Sequence, residues 1–217
     1  MSANVSEITT FKYRDYTCFC SSYSFENIQS TEVPAYQKQV FNKFGFTLNQ
    51  FHGDMRHPDF MDYIMRAIDA DIFIFFDIDC IPLRKDAIDY LLSRFLQKEG
   101  ILGIEQQCNC NASINHIYAG PACFLITKDL YEKLGRPSFT ENYRSDVAEE
   151  ITYICQDKGI CVDVLRKTHS NGNQWQLGET GWFGNGTTYE NDLVYHQFSI
   201  SSQVNNFIEK CKMVLAT

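Results

Sequence analysis

Hydrophobic and polar residues follow one another along the first half of the chain in blocks that predict strands and helices in alternation. Apolar residues at helical spacing predict amphipathic helices, each marked at one end by a Gly or Pro. The predicted order is strand 16–23, helix 33–43, strand 46–51, helix 57–68, a strand beginning at Asp71, helix 85–97 and strand 101–105. This alternation is typical of a parallel sheet covered by helices, with ligands at the carboxyl ends of the strands.

The second half is less regular and richer in strand-like patterns. Strands are predicted over 114–127, 160–165 and 193–198, with a helix capped near Ser145 or Asp146. The predicted fold class is therefore α/β, with a mainly parallel central sheet flanked by helices and a smaller β-rich part. We expect one domain over 1–217, with a first half at 1–105 and a second half at 106–217.

The strongest chemical signal is a pair of carboxylates that follows an apolar run. The run Ile-Phe-Ile-Phe-Phe after Asp71 predicts a strand buried on both faces, and Asp77 and Asp79 follow it directly. Two nearby carboxylates at a ligand crevice repel each other unless a cation or proton lies between them. A divalent metal is the natural occupant, and it would in turn hold phosphate oxygens. The structural alternative is that both acids belong to an ordinary turn.

At these residues the sequence resembles the metal-dependent nucleotide-sugar glycosyltransferases of the GT-A fold, a Rossmann-like fold whose hallmark is an apolar strand ending in Asp-x-Asp. Asp77-Ile78-Asp79 matches that hallmark in spacing and setting. The whole chain is also similar, in size and order of elements, to the small glycosyltransferase domains encoded by chlorella viruses. The resemblance implies that Asp79 binds the metal directly, while Asp77 contacts the donor ribose or a metal-bound water.

The resemblance also implies a third metal ligand, a histidine near the C-terminus. His196, in the predicted strand 193–198, is the best positional match, with His169 in reserve. A mixed site of carboxylate and imidazole suits Mn²⁺, and Mg²⁺ is the other metal we consider. Taken alone, a histidine in a strand rich in Tyr and Phe is more often a satisfied core residue, so both interpretations stay open.

Donor-binding residues are predicted from their position at the carboxyl edge of the sheet. Ser21 and Tyr23, at the end of the first strand, could hold the nucleotide base and ribose. In the loop after the second strand, Arg56 could pair with the diphosphate and Asp54 could accept a hydrogen bond from the ribose or base. Polar loop residues are usually just solvated, which is the alternative for all of them.

Further site residues are predicted in the second half. Ala119 and Gly120 match the small-residue segment that borders the donor sugar in many retaining members of the family, or else form a bulge. The resemblance places acids at the start of the next helix beside the acceptor, where one could orient or deprotonate the attacking hydroxyl. The candidates are Asp146, Glu149 and Glu150; helix capping is the structural alternative.

The segment 169–198 is full of Gly, Asn and Thr, with Trp175, Trp182 and Phe183 interleaved. Its aromatic residues predict a lid or a sugar-stacking platform. The alternative is a surface loop packed by its own side chains.

Composition narrows the possible partners. With 27 acids against 19 bases and a formal charge of −8, the chain would be repelled by a phosphate backbone, so nucleic acid is not expected as a ligand. No apolar stretch is long enough to span a membrane, and the start lacks a signal pattern. We therefore expect a soluble, cytoplasmic protein, in the host cytoplasm if viral, that could form part of a larger polypeptide.

The predicted function is transfer of a sugar, of hexosyl type, from a UDP-sugar donor to a hydroxyl of a glycan acceptor, with a slight preference for retention of configuration. One alternative is a haloacid-type phosphatase, although its Asp-x-Asp strand normally opens the domain. A sugar-nucleotide pyrophosphorylase would need a Gly-rich basic loop that is not found near 16–27. The remaining alternative is a non-catalytic, metal-dependent carbohydrate-binding module.

Overall fold

The computed structural model of the protein describes residues 17–24, 28–108 and 116–217. Its strands are β1 (Thr17–Tyr23), β2 (Asn49–His52), β3 (Ile72–Phe76), β4 (Cys80–Pro82), β5 (Gly100–Gln107), β6 (Ile117–Thr127), β7 (Cys161–Leu165), β8 (Lys167–Ser170), β9 (Trp175–Gln176), β10 (Trp182–Phe183), β11 (Thr187–Tyr189) and β12 (Val194–His196). Its helices are α1 (Glu32–Lys43), α2 (His57–Ala67), α3 (Ala87–Phe95), α4 (Lys128–Lys133), α5 (Glu149–Asp157) and α6 (Ile200–Ala216). Each helix and strand predicted from the sequence is present, and its observed bounds lie within a few residues of the predicted ones.

The central sheet has six strands in the order β2-β1-β3-β6-β5-β7. β1 runs parallel to β2 and β3, and β5 runs parallel to β7. β6 is antiparallel to both of its neighbours, β3 and β5. Only residues 108–116 separate β6 from β5, fewer than the dozen or so that a parallel crossover needs. The predicted α/β class with a helix-flanked central sheet is confirmed, and the sheet is mixed.

β3 is the centre of the hydrophobic core, as its apolar run predicts. All of its residues are buried, and they point alternately to the two faces of the sheet. Ile74 and Phe76 pack with residues of α3 on one face, whereas Phe73 and Phe75 pack with residues of α2 and α5 on the other. Each such side chain contributes about 1.5–3 kcal/mol relative to an exposed one. The strand end that carries the two acids is therefore firmly anchored.

A second sheet folds part of segment 169–198 against the end of β3. Its order is β4-β12-β11-β8, with antiparallel pairing throughout. The rings of Trp175, Phe183 and Phe198 pack on one another with centroids 5.4 Å apart, and Phe183 is fully buried. Because these rings pack on one another, the segment corresponds to the alternative in which it is packed by its own side chains, rather than to a lid. Trp182 is the aromatic of this segment that stays half exposed.

Helix α6, at the end of the chain, was not among the predicted elements. Its buried residues Phe207, Ile208, Cys211 and Val214 recur at helical spacing and pack with Val40 and other residues of α1. This spacing was the signal for the helix. No helix in the described part of the chain combines the length and apolarity needed to cross a bilayer.

The junction of β5 with β7 depends on Gly100. A Cβ added there would lie 2.1 Å from the carbonyl oxygen of Cys161 in the neighbouring strand. We expect Gly100→Ala to destabilise the protein by about 1–3 kcal/mol, because β7 must shift to make room. Thermal unfolding checks this against Gly53→Ala, whose added Cβ would meet nothing within 4 Å. Equal melting temperatures for the two variants would contradict the expectation.

Candidate metal centre

Asp77 and Asp79 lie in a tight turn between β3 and β4. The Asp77 amide donates to the carbonyl of Ala122 at 3.0 Å, and the Cys80 amide donates to the carbonyl of Asp77 at 2.9 Å. The buried side-chain amide of Gln37, from α1, donates to the carbonyls of Asp77 at 2.7 Å and Cys80 at 3.0 Å. Hydrogen bonds with β6, within the turn and with α1 thus fix the backbone that carries the two carboxylates.

His196 reaches the same turn through the second sheet. β12 pairs with β4 so that His196 lies opposite Cys80, and the Gln197 amide donates to the carbonyl of Asp79 at 3.0 Å. His196 Nε2 lies 3.2 Å from Asp79 Oδ1 and 3.5 Å from Asp77 Oδ2. Ligand atoms of the three side chains all lie within 4.8 Å of one another. The three residues predicted as metal ligands therefore form one cluster.

The cluster is electrostatically arranged for a cation. Asp79 and His196 are each only 4% exposed, whereas the Asp77 side chain is about a quarter exposed. Burial alone would lower the pKa of His196, but Asp79 and then Asp77 outweigh that effect, so the pKa is raised above 6.5. A protein that favours a positive charge between two carboxylates offers the same position to a metal. Two carboxylate oxygens and one imidazole nitrogen are a donor set that fits a divalent transition metal.

A residue that the sequence analysis missed lies beside the cluster. His57, the first residue of α2, places Nε2 3.1 Å from Asp77 Oδ1. The sequence signal was available, since His57 ends the loop after β2 at the carboxyl edge of the sheet. The helix predicted over 57–68 begins at His57, and no role at the site is predicted for this residue.

The cluster opens into a cleft of about 540 Å³ at the carboxyl edge of the central sheet. One wall comes from the end of β1, with Ser22 and Tyr23, and another from the start of α6, with Ser199 and Ser201. Phe198 also lines the cleft, and its ring centroid lies 3.8 Å from that of His196. The volume is within the range of about 300–1,000 Å³ that small-molecule sites occupy.

Of the donor-binding residues predicted in the first half, the structure places one at the cleft and the others away from it. Tyr23 lines the cleft, and its ring stacks on His52 with centroids 5.0 Å apart. Ser21 is fully buried within β1, away from the cleft wall. Asp54 is exposed on the loop after β2, and Arg56 pairs with Asp59 at 2.8 Å and with Glu141 at 2.9 Å. Neither Asp54 nor Arg56 lines the cleft, so their roles stay predictions.

Ala119 and Gly120 lie inside β6 rather than at the cleft. Both are buried, and the Ala119 amide donates to the hydroxyl of Thr152 at 3.3 Å. A Cβ on Gly120 would lie 2.7 Å from the side-chain oxygen of Gln106, so Gly120 allows β5 and β6 to pack closely. This contact supplies a structural reason for the small residues, and their role beside a sugar stays a prediction.

The predicted catalytic acids form a separate cluster around the start of α5. Tyr118, on β6, donates to Asp146 Oδ2 at 3.2 Å. Glu149 is fully buried, accepts from the Asp146 amide at 2.7 Å and pairs with His116 at 2.6 Å. These acids do not line the cleft.

The remaining contacts of this acid cluster differ between its members. Glu150 pairs with Arg144, which holds the pKa of Glu150 below its usual value. Burial raises the pKa of Asp146, although the Val147 amide and the Tyr118 hydroxyl oppose the rise. Asp146 is therefore the member held by hydrogen bonds to neutral groups, whereas Glu149 and Glu150 each pair with a basic side chain.

Comparison with known proteins finds solved structures whose fold is similar to that of this chain. No family model matches the chain, and no curated protein matches it. The protein A197 from STIV is 12% identical, with 84% of this chain and 94% of that chain covered, at a TM-score of 0.45. A protein proposed to be a glucose-1-phosphate thymidylyltransferase, from Bacillus anthracis, is 12% identical, with 94% and 80% covered, at 0.47. A glycosyltransferase involved in the glycosylation of the major capsid of PBCV-1 is 10% identical, with 70% and 80% covered, at 0.42.

Proposed function

We propose that the protein is a metal-dependent glycosyltransferase that moves a hexosyl group from a UDP-sugar to a hydroxyl of a glycan acceptor. The observation that carries the proposal is the cluster of Asp77, Asp79 and His196, placed in a cleft at the carboxyl edge of the central sheet. Ligands of open α/β sheets bind at this edge. The sequence Asp-x-Asp after a buried strand, with the resemblance that it carries, supports the same conclusion.

The donor would occupy the cleft with its diphosphate at the metal. Asp77, Asp79 and His196 would hold Mn²⁺ or Mg²⁺, and the bound metal would neutralise the charge of the leaving diphosphate. Tyr23, Ser22 and Ser201 line this cleft, so they would contact the nucleobase, the ribose or the phosphate oxygens of the donor. These contacts would orient the donor while Phe198 covers one side of His196.

The acceptor is proposed to lie against the second half of the chain. Because Asp146 does not line the cleft that holds Asp77 and Asp79, we assign it to a sugar unit of the glycan away from the reacting hydroxyl. Glu149 and Glu150 would position Asp146 and its loop through the contacts of Glu149 with the Asp146 amide and of Glu150 with Arg144.

This assignment predicts a selective effect of Asp146→Asn on acceptor use. The KM for the glycan is expected to rise roughly 10-fold, as for the loss of one charged hydrogen bond, while UDP binding stays unchanged. Steady-state kinetics with the acceptor varied, together with calorimetry of UDP, separates the two. The matched control is Asp157→Asn, at the other end of α5. A parent-like KM in Asp146→Asn would remove Asp146 from the acceptor site.

The function itself is tested by incubating the protein with a panel of UDP-sugars, oligosaccharide acceptors and Mn²⁺, and by detecting products by mass spectrometry. An acceptor that gains one hexose with release of UDP would support the proposal. Release of phosphate from a phosphomonoester without transfer would favour the haloacid-type phosphatase. Metal-dependent glycan binding with no nucleotide binding would favour a carbohydrate-binding module.

A further inference from the structure

The carboxylate of Asp77 is contacted from both sides by histidines. His57 Nε2 lies 3.1 Å from Oδ1, and His196 Nε2 lies 3.5 Å from Oδ2. His57 is not one of the residues whose ligand atoms cluster within 4.8 Å, although it lines the same cleft. Its imidazole therefore touches a proposed metal ligand without belonging to the metal cluster.

Helix α2 fixes the position of His57. Pro58 follows it in the first turn, and Phe60 and Met61 of the next positions are buried in the core against β3. On the preceding residue, Arg56 pairs with Asp59 in the same turn and with Glu141 in the loop before α5. The imidazole is thus carried by a packed helix start rather than by a free loop, so its reach to Asp77 is defined by the fold.

We infer that His57 is a positioning residue, whose Nε2, 3.1 Å from Asp77 Oδ1, holds that oxygen and so leaves Oδ2 as the oxygen that Asp77 presents to the metal. The inference rests on the proposed metal site. It requires the tautomer or protonation state that carries a hydrogen on Nε2. A carboxylate without this contact could rotate about its terminal torsion and offer either oxygen, since such torsions are broad.

The effect of removing this contact on metal affinity can be predicted. Outer partners that orient a metal ligand are typically worth 10–100-fold in metal affinity. His57→Leu is therefore expected to weaken Mn²⁺ binding about 10–100-fold. His57→Gln, whose side-chain amide can donate near the position of Nε2, is expected to retain Mn²⁺ affinity within about threefold. His57→Asn is polar but shorter, and it is expected to behave like the leucine variant.

The experiment measures Mn²⁺ affinity by calorimetry and the electronic absorption of bound Co²⁺ for these three variants. Tyr63→Leu serves as the control, because Tyr63 is exposed on the same helix as His57 and does not line the cleft. Weak binding in the Leu and Asn variants, near-parent binding in the Gln variant and a Co²⁺ spectrum unchanged in all three would support the inference. Thermal unfolding of each variant shows that the fold is retained.

Three results would overturn the inference. Parent-like Mn²⁺ affinity in both His57→Leu and His57→Asn would show that the contact does not position Asp77. A Co²⁺ spectrum altered in His57→Gln would make His57 a ligand rather than a positioning residue. Failure of the parent protein to bind Mn²⁺ or Co²⁺ would overturn the metal site and the inference together, whereas the first two results leave the metal site in place.

Discussion

Replacing Asp79 by asparagine is expected to lower the affinity for Mn²⁺ by at least about 100-fold, because a direct ligand contributes more than the 10–100-fold of an outer partner. Asp79 is almost fully buried, and its Oδ1 lies 3.2 Å from His196 Nε2. Asparagine keeps the shape of the side chain but lacks the charge that balances a cation. Titration of Mn²⁺, followed by calorimetry or by the loss of the free-ion magnetic resonance signal, measures the change.

The matched control for this variant is Asp71→Asn. Asp71 is exposed and precedes β3, whereas Asp79 follows it, so the two substitutions remove the same charge from opposite ends of one strand. The control is expected to bind Mn²⁺ as the parent does. Equal affinities in Asp79→Asn and the parent would contradict a metal site in this turn.

Replacing Gln37 by methionine is expected to destabilise the protein by about 2–4 kcal/mol. The Gln37 amide donates to the carbonyls of Asp77 and Cys80, and its oxygen accepts from the Gln50 amide at 3.0 Å. Methionine has a similar volume but cannot replace these bonds, and each buried group left unsatisfied costs about 1–3 kcal/mol. Part of that cost is avoided because the Asp77 carbonyl also accepts from the Cys80 amide. Chemical denaturation measures the free energy of unfolding.

Gln39→Met is the control for this second prediction. Gln39 lies on the exposed side of the same helix, so the substitution there changes the same side chain without touching the turn. Its effect is expected within about 0.5 kcal/mol, as for most surface changes. We also expect Mn²⁺ affinity to fall in Gln37→Met and to stay unchanged in Gln39→Met. Equal unfolding energies for the two variants would show that Gln37 does not hold the turn.

What could be predicted from the sequence was local. The apolar run of β3 and the two acids after it are contiguous, so burial on both faces and the position of Asp77 and Asp79 follow from pattern alone. The α/β class follows from the alternation of periods along the chain. The antiparallel direction of β6 was not predicted, because the short connection after β5 outweighs the parallel pattern of the preceding units.

Contacts that bring distant residues together could not be predicted in this way. Gln37 reaches the Asp77 carbonyl across 40 residues of sequence, and His196 reaches Asp79 across 117. His196 could be suggested as a metal ligand only through the resemblance. The contacts of Gln37 and of His57 with Asp77 could not be predicted at all, because hydrophobic periodicity carries no information on such pairs. The acids near α5 show the opposite case. Glu149 accepts from the Asp146 amide, so local helix-start chemistry accounts for part of what was predicted as catalysis.

The proposed function requires that a metal held in this turn binds a nucleoside diphosphate. The most direct test is calorimetry of UDP on the parent protein, with Mn²⁺ and with the metal removed by chelation, repeated on Asp79→Asn. UDP binding is expected to require Mn²⁺, to be lost in Asp79→Asn and to be kept in Asp71→Asn. UDP binding of equal strength without metal, or no UDP binding under any condition, would contradict it.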